Sequence, residues 1–270
     1  MSVIRMRPRV KVLVFMVTLL VTASLLTVFT GCRDINHVIV GSGNLINQEM
    51  DFADFTKIEV VHAFQVKVTR SDSFFFGITV DDNLPEYLDF RKSGNTLYMR
   101  LKGGTTYIGT TKIVEITMPK LDKLSLSGAS TAEVSGFRSS DRLELELSGA
   151  SSLNIDDLKA GDTAFEVSSG SSVSGSIEIS DGRFNTSGNS NINLEGYASD
   201  IFIEASEASN TNLSNLSVSN ATVNISGASV VTINASGSIN GDVSSASRLI
   251  YIGNPALTIE TSGDSTLDRK

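Results

Sequence analysis

The sequence has little of what most enzymes and nucleic-acid-binding proteins need. Its 270 residues include one cysteine, two histidines, four prolines and no tryptophan, and the formal net charge is −8. A single cysteine excludes an intrachain disulfide framework and a zinc site built from cysteines. The acidic balance argues against nucleic-acid binding, because neutralising phosphate groups needs a basic surface. Metabolic catalysis is not expected from such a composition.

What the chain contains in quantity is glycine, serine, asparagine and threonine, with valine, isoleucine and leucine between them. This composition is typical of many short strands joined by tight turns. The length suffices for one large or two ordinary domains with a substantial core.

The N-terminus has the pattern of an export signal. Residues 1–11 contain four basic and no acidic residues, and residues 12–30 are almost wholly apolar or small, which predicts a secretory signal. The segment ends in Phe29-Thr30-Gly31-Cys32, which resembles a bacterial lipobox although Phe29 stands where leucine is usual. Residues 1–31 are therefore predicted to be a lipoprotein signal peptide, and Cys32 to be lipidated and held on a membrane. The alternative is a transmembrane anchor, since about 19 apolar residues can span a bilayer.

The predicted mature chain is strongly acidic. Removal of residues 1–31 would leave 18 basic and 30 acidic residues, a net charge of −12. Such a surface has no electrostatic attraction to anionic lipid or to nucleic acid. We therefore expect membrane contact through the acyl chains on Cys32 alone.

From Lys120 onward the chain repeats itself with a period close to 20 residues. A Ser-Gly-Ala-Ser element and its variants recur at Gly128, Gly149, Ser169, Gly188, Glu207, Gly227, Ser245 and Gly263. Such a period, with apolar residues alternating inside it, is typical of a β-solenoid, in which stacked coils bury an apolar side that one repeat cannot bury alone. The predicted fold is all-β, a solenoid similar to a single-stranded β-helix.

The alternation also predicts which side chains point inward. Residues four positions before and after each repeat position form two apolar rows, so Leu145 and Val223 are expected inside the solenoid. A leucine-rich-repeat horseshoe lacks its leucine and asparagine consensus here, and an antiparallel sandwich would give irregular spacing. The solenoid is therefore the favoured architecture.

Rows of serine and asparagine accompany the repeat and have two interpretations. The asparagines are Asn185, Asn189, Asn191, Asn193, Asn210, Asn212 and Asn215. They could offer amide and hydroxyl groups to a glycan. The favoured interpretation is structural, with side chains that fill turns and form hydrogen-bonded ladders between coils.

The N-terminal half also reads as strands. The predicted strands are 55–60, 64–69, 74–80, 96–101 and 113–118. Ser93-Gly94-Asn95 is expected to form a hairpin turn, and Pro85 to begin a short helical turn. Phe74-Phe75-Phe76 is expected in a buried strand at the end of the solenoid, where the open end needs a cover, with an exposed binding patch as the alternative.

Several motifs resemble one known family. They are Gly41-Ser42-Gly43-Asn44, Asp54 to Val60, Val80-Asp81-Asp82-Asn83-Leu84, Met118-Pro119-Lys120-Leu121 and the recurring Leu-Ser-Gly-Ala-Ser. In this order they resemble the auto-transporter adhesin, head GIN domain family of Bacteroidetes, which usually follows a lipoprotein signal. The resemblance implies a β-helix-like fold over both halves and brings no established catalytic motif. We therefore assign residues 32–42 to a tether and residues 43–268 to the domain.

Little in the sequence supports catalysis. The two histidines are His37, in the tether, and His62, expected in a strand with a hydrogen-bonded ring. A Ser-His-Asp site would need one of them beside a positioned serine, and no nucleophile motif marks such a serine. Glycoside hydrolysis needs two converging carboxylates, whereas adjacent acids such as Asp81-Asp82 point to opposite faces of a strand. No catalytic residue, metal ligand or cofactor is predicted.

Two further predictions concern modification and location. Thr163 and Ser265 lie in Asp-Thr-Ala and Asp-Ser-Thr triplets, which resemble the O-glycosylation motif of Bacteroidetes. The residues after Cys32, Arg33-Asp34-Ile35-Asn36, contain one acid and so lack the acidic run associated with surface export in these bacteria. The resemblance therefore implies an outer-membrane lipoprotein on the periplasmic face, with the cell surface as the alternative.

Together these observations predict a non-catalytic, adhesin-like lipoprotein of the cell envelope. Its partners would be the membrane, through Cys32, and a glycan or an envelope protein, with no nucleic acid. The alternative function is a polysaccharide-active β-helix enzyme, either a lyase or a hydrolase.

Overall fold

The computed structural model describes residues 37–270. These residues form 22 strands and one 3₁₀ turn, Pro85–Tyr87, and include no helix long and apolar enough to cross a membrane. The predicted signal peptide, Cys32 and the first residues of the predicted tether lie outside the described residues.

The strands are numbered in chain order. Those of the N-terminal half are β1 (Val38–Val40), β2 (Leu45–Glu49), β3 (Lys57–Val60), β4 (Gln65–Arg70), β5 (Phe75–Asp81), β6 (Leu88–Ser93), β7 (Thr96–Leu101), β8 (Thr106–Ile108) and β9 (Lys112–Met118). Those of the repeat are β10 (Lys123–Leu126), β11 (Thr131–Ser135), β12 (Leu143–Leu147), β13 (Ser152–Lys159), β14 (Thr163–Val167), β15 (Ser172–Ile179), β16 (Gly182–Thr186), β17 (Asn191–Ala205), β18 (Asn210–Ile225), β19 (Val230–Val243), β20 (Arg248–Ile252), β21 (Ala256–Thr261) and β22 (Thr266–Arg269).

A small unit consists, among the described residues, of 37–40 and 103–108. In it β1 pairs in parallel with β8, and Ile39 lies opposite Tyr107. Val38–Val40, within the predicted tether, therefore form a strand, while the division into a tether of 32–42 and a domain of 43–268 stays a prediction. The strand forms because three consecutive β-branched residues, Val38-Ile39-Val40, favour extended, paired backbone.

The second unit, residues 41–102 and 109–270, is a β-solenoid whose coils are spaced near 20 residues apart in the sequence. This confirms the predicted fold class. Equivalent residues of successive coils lie opposite each other in parallel pairs: Leu124 pairs with Leu145, and Leu145 pairs with Phe165. Residues at the same position of successive sequence repeats are therefore paired in the sheets.

Each coil contributes one strand to each of two parallel sheets, which meet at the Ser-Gly-Ala-Ser corner. The first sheet contains β10, β12, β14, β16, β21 and the C-terminal parts of β17, β18 and β19. The second sheet contains β11, β13, β15, β20, β22 and the N-terminal parts of β17, β18 and β19.

The first coils of the solenoid are not stacked in chain order. The coil of β3 and β4 lies between the coil of β7 and β9 on one side and the coil of β10 and β11 on the other. Beyond β7 and β9 come antiparallel strands: β6 pairs with β7, β5 with β9, and β2 with β5. These strands cover the N-terminal end of the solenoid, whose backbone groups would otherwise be unpaired.

The aromatic run at this end is divided between core and surface. Phe76 is buried and lies edge-on to Phe52 and Phe90, with ring centroids 5.3 and 5.5 Å away. Phe75, the next residue back along β5, is 38% exposed. The prediction of a strand at the end of the solenoid is confirmed, but only alternate side chains of that strand face the core.

Two of the family motifs meet at one buried carboxylate. Asp81 is 1% exposed, and its two carboxylate oxygens accept hydrogen bonds from the backbone N–H groups of Gly43 and Thr111, both at 2.7 Å. Gly41 passes so close that an added Cβ would lie 2.8 Å from an Asp81 carboxylate oxygen. The Gly41–Asn44 and Val80–Leu84 motifs therefore have a structural role, because their residues are joined through the hydrogen bonds of Asp81.

The predicted inward rows form the core of the solenoid. Leu145 and Val223 are 1% and 0% exposed, which confirms both predictions. Phe165 and Phe184 stack in successive coils with ring centroids 4.9 Å apart. Gly241 is the one residue without a side chain in the row four positions before the repeat positions. A side chain does not fit there, because an added Cβ would overlap the carbonyl oxygen of Val223 in the preceding coil. The solenoid is thus held together mainly by apolar side chains that stack from coil to coil, each contributing about 1.5–3 kcal/mol when fully buried.

All eight predicted repeat positions are tight corners that begin and end with serine. The corners are Ser127–Ser130, Ser148–Ser151, Ser168–Ser171, Ser187–Ser190, Ser206–Ser209, Ser226–Ser229, Ser244–Ser247 and Ser262–Ser265. The two residues between the serines have positive φ at every corner, for example +64° at Gly227 and +61° at Ala228. Glycine adopts this conformation without strain, whereas other residues pay about 1–2 kcal/mol. This explains why glycine is frequent at these corners although Glu207 is tolerated.

The last serine of each corner points inward and forms a ladder along the solenoid. These serines are at most 2% exposed except Ser265 at the end. The backbone N–H of one serine donates to the hydroxyl oxygen of the next at 3.2–3.3 Å, as seen for Ser151, Ser171, Ser209, Ser229 and Ser247. The corner therefore satisfies its buried N–H group with a side chain from the following coil.

His62 lies at a ninth corner and not in a strand, which corrects its predicted position. Its φ is +74° and that of Ala63 is +57°. The ring is hydrogen-bonded as predicted, because its Nδ1 accepts the backbone N–H of Leu101 at 3.1 Å. The turn was missed because His62-Ala63 lacks the serines that mark the other corners.

Candidate functional site

Of the predicted asparagines, Asn185 lies on the first sheet and Asn189 in the corner Ser187–Ser190. The outward side of the second sheet carries two rows of serine and asparagine. They lie three and five residues after each repeat position. In five successive coils these residues are Ser152, Asn154, Ser172, Ser174, Asn191, Asn193, Asn210, Asn212, Val230 and Thr232. We call this surface the neutral face, because none of its ten residues is ionisable and all but one are polar.

Charged residues mark both ends of the neutral face. In the coils before it, Lys67 lies opposite Glu133 in the register of the sheet. In the coils after it, Arg248 donates from Nε to the Asp268 carboxylate at 2.7 Å. The uncharged surface is therefore a bounded region of an otherwise acidic chain.

Hydrogen bonds between coils hold the asparagines of the neutral face in place. Asn210 donates from Nδ2 to Asn191 Oδ1 at 2.8 Å, and Asn212 donates to Asn193 Oδ1 at 2.7 Å. The ladder interpretation is thus confirmed for these four residues. An asparagine amide has two donor hydrogens and two acceptor lone pairs, and each ladder bond uses one of them. The ladder and a binding role are therefore compatible.

A shallow groove runs along part of the neutral face. Its volume is about 410 Å³, and its uncharged polar lining is Gln65, Thr131, Ser152, Asn154, Ser172 and Ser174. The charged residues Lys67 and Glu133 line its end outside the neutral face. Hydroxyl and amide groups of successive coils thus border one continuous depression. Such an arrangement can form hydrogen bonds with a ligand that extends over several coils.

The first sheet presents a different surface, which we call the acidic face. Its outward residues three positions before the repeat positions from Gly149 to Gly263 are Glu146, Glu166, Asn185, Glu204, Asn224, Asp242 and Glu260. Lys123 donates to Glu146 at 2.5 Å, and this hydrogen bond raises the pKa of Lys123. Arg183 pairs with Glu204 at 2.7 Å. Most carboxylates of this row have no such partner among the described residues, so the face is negative.

The sequence predicted a polar flank but did not separate these two faces. The signal that distinguishes them is the position within the repeat. Carboxylates concentrate before the corner, whereas serine and asparagine concentrate after it. Assigning each row to its own sheet required the register of the strands.

The described residues contain little that could perform catalysis. Within 37–270 no group of three or more histidine, cysteine, aspartate or glutamate side chains is placed to hold a metal ion. Burial and the nearby charges of Lys112 and Arg100 lower the pKa of His62. Because its Nδ1 already accepts the Leu101 N–H, the His62 ring serves the fold as a neutral acceptor.

The two hydroxyls predicted as O-glycosylation sites are both engaged in the fold. Thr163 is 2% exposed, and its hydroxyl donates to the carbonyl oxygen of Gly161 at 3.1 Å. Ser265 donates to the carbonyl oxygen of Ser262 at 2.7 Å and accepts the N–H of Ser247 at 3.2 Å. Glycosylation of Thr163 and Ser265 stays a prediction, and these contacts count against it, because a glycan would displace them. The third site prediction, Cys32, lies outside the described residues.

Solved structures with the same architecture come from Bacteroidetes. One, titled "Putative lipid binding protein" from Parabacteroides distasonis, has a TM-score of 0.81 at 16% identity and covers 86% of this chain and 99% of its own. A "putative adhesin" from the same species has a TM-score of 0.80 at 19% identity, with coverages of 86% and 100%. A "putative adhesin" from Parabacteroides merdae has a TM-score of 0.78 at 18% identity, with coverages of 87% and 99%. At these identities the likeness establishes the fold alone.

At the level of sequence, one family model matches the chain. It is described as "Putative auto-transporter adhesin, head GIN domain" and matches residues 54–255. No curated protein has a sequence that matches this chain. The family model spans the corner of β3 and β4 and most of the repeat, so it includes all of the neutral face.

Proposed function

Because the chain belongs to the auto-transporter adhesin, head GIN domain family, we propose that it is a cell-envelope lipoprotein that binds its partner through the neutral face. The family supports an adhesin-like, non-catalytic role at the cell envelope. The observation that carries the proposal is the uncharged, hydrogen-bonding surface on a chain that is otherwise acidic. The partner classes are a glycan or an envelope protein.

The neutral face suits recognition because its polar groups are held rigidly. Its strands are paired on both sides along five coils, and the Asn191–Asn210 and Asn193–Asn212 bonds fix the amide planes. Groups that are already ordered lose little conformational entropy when a ligand binds. A broad and rigid polar surface favours an extended ligand over a small molecule, which would need an enclosed pocket.

The anchor in this proposal is the lipidated Cys32. Replacing it, Cys32→Ser, should abolish incorporation of labelled fatty acid and release the protein from the membrane fraction, or leave it unprocessed. Unchanged membrane fractionation at unchanged size would contradict lipidation and indicate that residues 12–30 remain as a transmembrane helix.

The proposed location is the outer membrane, with the domain on the periplasmic face. Protease added to intact cells should leave the domain uncut, while the same protease should digest it after the outer membrane is permeabilised. Rapid digestion in intact cells, with a periplasmic control protein intact, would instead place the domain on the cell surface.

A further inference from the structure

We propose that the neutral face binds an uncharged, linear polysaccharide that lies along the solenoid axis. This inference rests on the proposed function, because it names the partner class for the same face. It goes beyond that function by excluding charged glycans and by setting the direction of the ligand.

The distribution of charge selects a neutral ligand. Five successive coils of the second sheet carry no ionisable outward residue in the two rows, whereas the first sheet carries five carboxylates at equivalent positions before the corner. An anionic polymer would be repelled by the acidic chain, and a cationic polymer would be drawn to the acidic face. Only an uncharged polymer would bind the neutral face more favourably than the acidic face.

The spacing of the polar groups selects a linear polymer. Successive coils place equivalent side chains about 4.8 Å apart along the axis, and the two rows are about 6.6 Å apart along the strands. A pyranose ring in an extended chain advances by about the same distance as one coil. The hydroxyls of successive sugars can therefore meet the same row of side chains, coil after coil.

The chemistry of the side chains matches sugar hydroxyls. A sugar hydroxyl both donates and accepts a hydrogen bond, as do serine, threonine and asparagine side chains. In the ladder, Asn210 and Asn212 each use one amide hydrogen on the preceding coil, which leaves the second hydrogen for a ligand. The groove beside Ser152, Asn154 and Ser174 can accommodate the chain of sugars.

The absence of aromatic side chains among the ten residues of the neutral face makes a quantitative prediction. Without aromatic stacking, each sugar contributes only hydrogen bonds, whose net contribution to binding is small because they replace hydrogen bonds to water. Affinity must then accumulate over several coils. We expect it to rise with oligosaccharide length until the ligand spans the face.

The test uses the purified full-length protein in detergent and matched oligosaccharides of two to six sugars. The neutral probes are linear β-1,4-glucan, β-1,4-mannan and α-1,6-glucan fragments, and the charged probe is polygalacturonate fragments. We expect at least one neutral series to bind, with the dissociation constant falling at least tenfold from disaccharide to hexasaccharide. Because the ligand is uncharged, added salt should leave its affinity unchanged.

Two triple variants locate the binding surface. The variant N154A/S174A/N193A removes exposed side chains of the neutral face and should weaken hexasaccharide binding at least tenfold. The matched variant T222A/N224A/N240A removes exposed side chains of the first sheet and should leave binding unchanged. Equal loss in both variants would overturn the assignment to the neutral face.

Other outcomes separate this inference from the proposed function. Binding of polygalacturonate alone, or no binding of any neutral series, would overturn the neutral polysaccharide. If the protein then still bound isolated cell envelopes and lost that binding in N154A/S174A/N193A, the proposed function would stand with a different partner. If envelope binding did not depend on the neutral face, both would be wrong.

Discussion

The serine ladder makes a sharp prediction at the corner that ends in Ser229. The hydroxyl oxygen of Ser229 accepts the backbone N–H of Ser209 and also lies 3.3 Å from the Ser209 hydroxyl, and all these groups are buried. Ser229→Ala removes the acceptor but leaves the backbone of both corners in place. The N–H of Ser209 would then be buried without an acceptor, because the cavity of one lost oxygen is too small to admit a water.

The expected cost follows from this single unsatisfied group. A buried donor left without its partner costs about 1–3 kcal/mol. The Ser209 hydroxyl keeps its bond to the carbonyl oxygen of Thr186 at 3.0 Å, and the Ser229 N–H keeps its bond to Ser247. Both contacts to the Ser229 hydroxyl are lost, but only the Ser209 N–H is left without an acceptor, so we expect a cost of about 2 kcal/mol.

The same corner provides a matched control. Ser226, the first serine of this corner, is only partly buried, and its hydroxyl makes no hydrogen bond among residues 37–270. Ser226→Ala should therefore change stability by less than about 0.5 kcal/mol. Both variants remove one serine hydroxyl from the same four residues, but only Ser229 is fully buried and part of the ladder.

Urea denaturation followed by circular dichroism measures both variants. With a slope of about 2 kcal/mol per molar urea, a loss of about 2 kcal/mol moves the midpoint of Ser229→Ala about 1 M lower, while Ser226→Ala keeps the midpoint of the parent. Equal midpoints for the two variants would mean that the inward Ser229 does not satisfy a buried N–H group.

Three further predictions concern the core, a coil contact and pH. Leu145→Asp places a charge at a 1% exposed position and should cost several kcal/mol; a melting temperature within a degree or two of the parent would contradict the register. Gly196→Ala should destabilise the fold, since Gly196 has φ +117° and an added Cβ would overlap the carbonyl oxygen of Ile177, whereas Gly104→Ala, at an open position, should cost less in thermal melting. Because the pKa of His62 is lowered in the folded state, its neutral ring contributes stability that is lost as the pH falls below the ordinary histidine range. His62→Asn should therefore flatten the dependence of melting temperature on pH between about 8 and 5. An unchanged slope would show that other groups cause the pH dependence.

The neutral face could be predicted from the sequence only in part. The serine and asparagine rows were evident, and so was their capacity for ladders. That they occupy one sheet while Glu146, Glu166 and Glu204 occupy another depends on where each coil turns. The positive φ values that set this turn arise at serine, glutamate and asparagine as well as at glycine, so composition alone does not mark it.

The fold class, the repeat and the inward rows could all be predicted from the sequence. Apolar residues that recur at fixed offsets from a corner can be buried in only one register, and Leu145 and Val223 lie where that register requires. The hairpin at Gly94-Asn95 and the turn at Pro85 follow from local backbone preferences in the same way. These features depend on residues adjacent in the chain or on the repeat period, and both are visible in the sequence.

How the N-terminal half joins the solenoid could not be predicted from the sequence. The chain places β7 and β9 outside the coil of β3 and β4, and β10 then returns to the other side of that coil. No local pattern encodes this order, because each of these strands has an apolar side that could be buried against either neighbour. The arrangement is held instead by contacts between residues distant in the chain, such as Asp81 with Gly43 and Thr111.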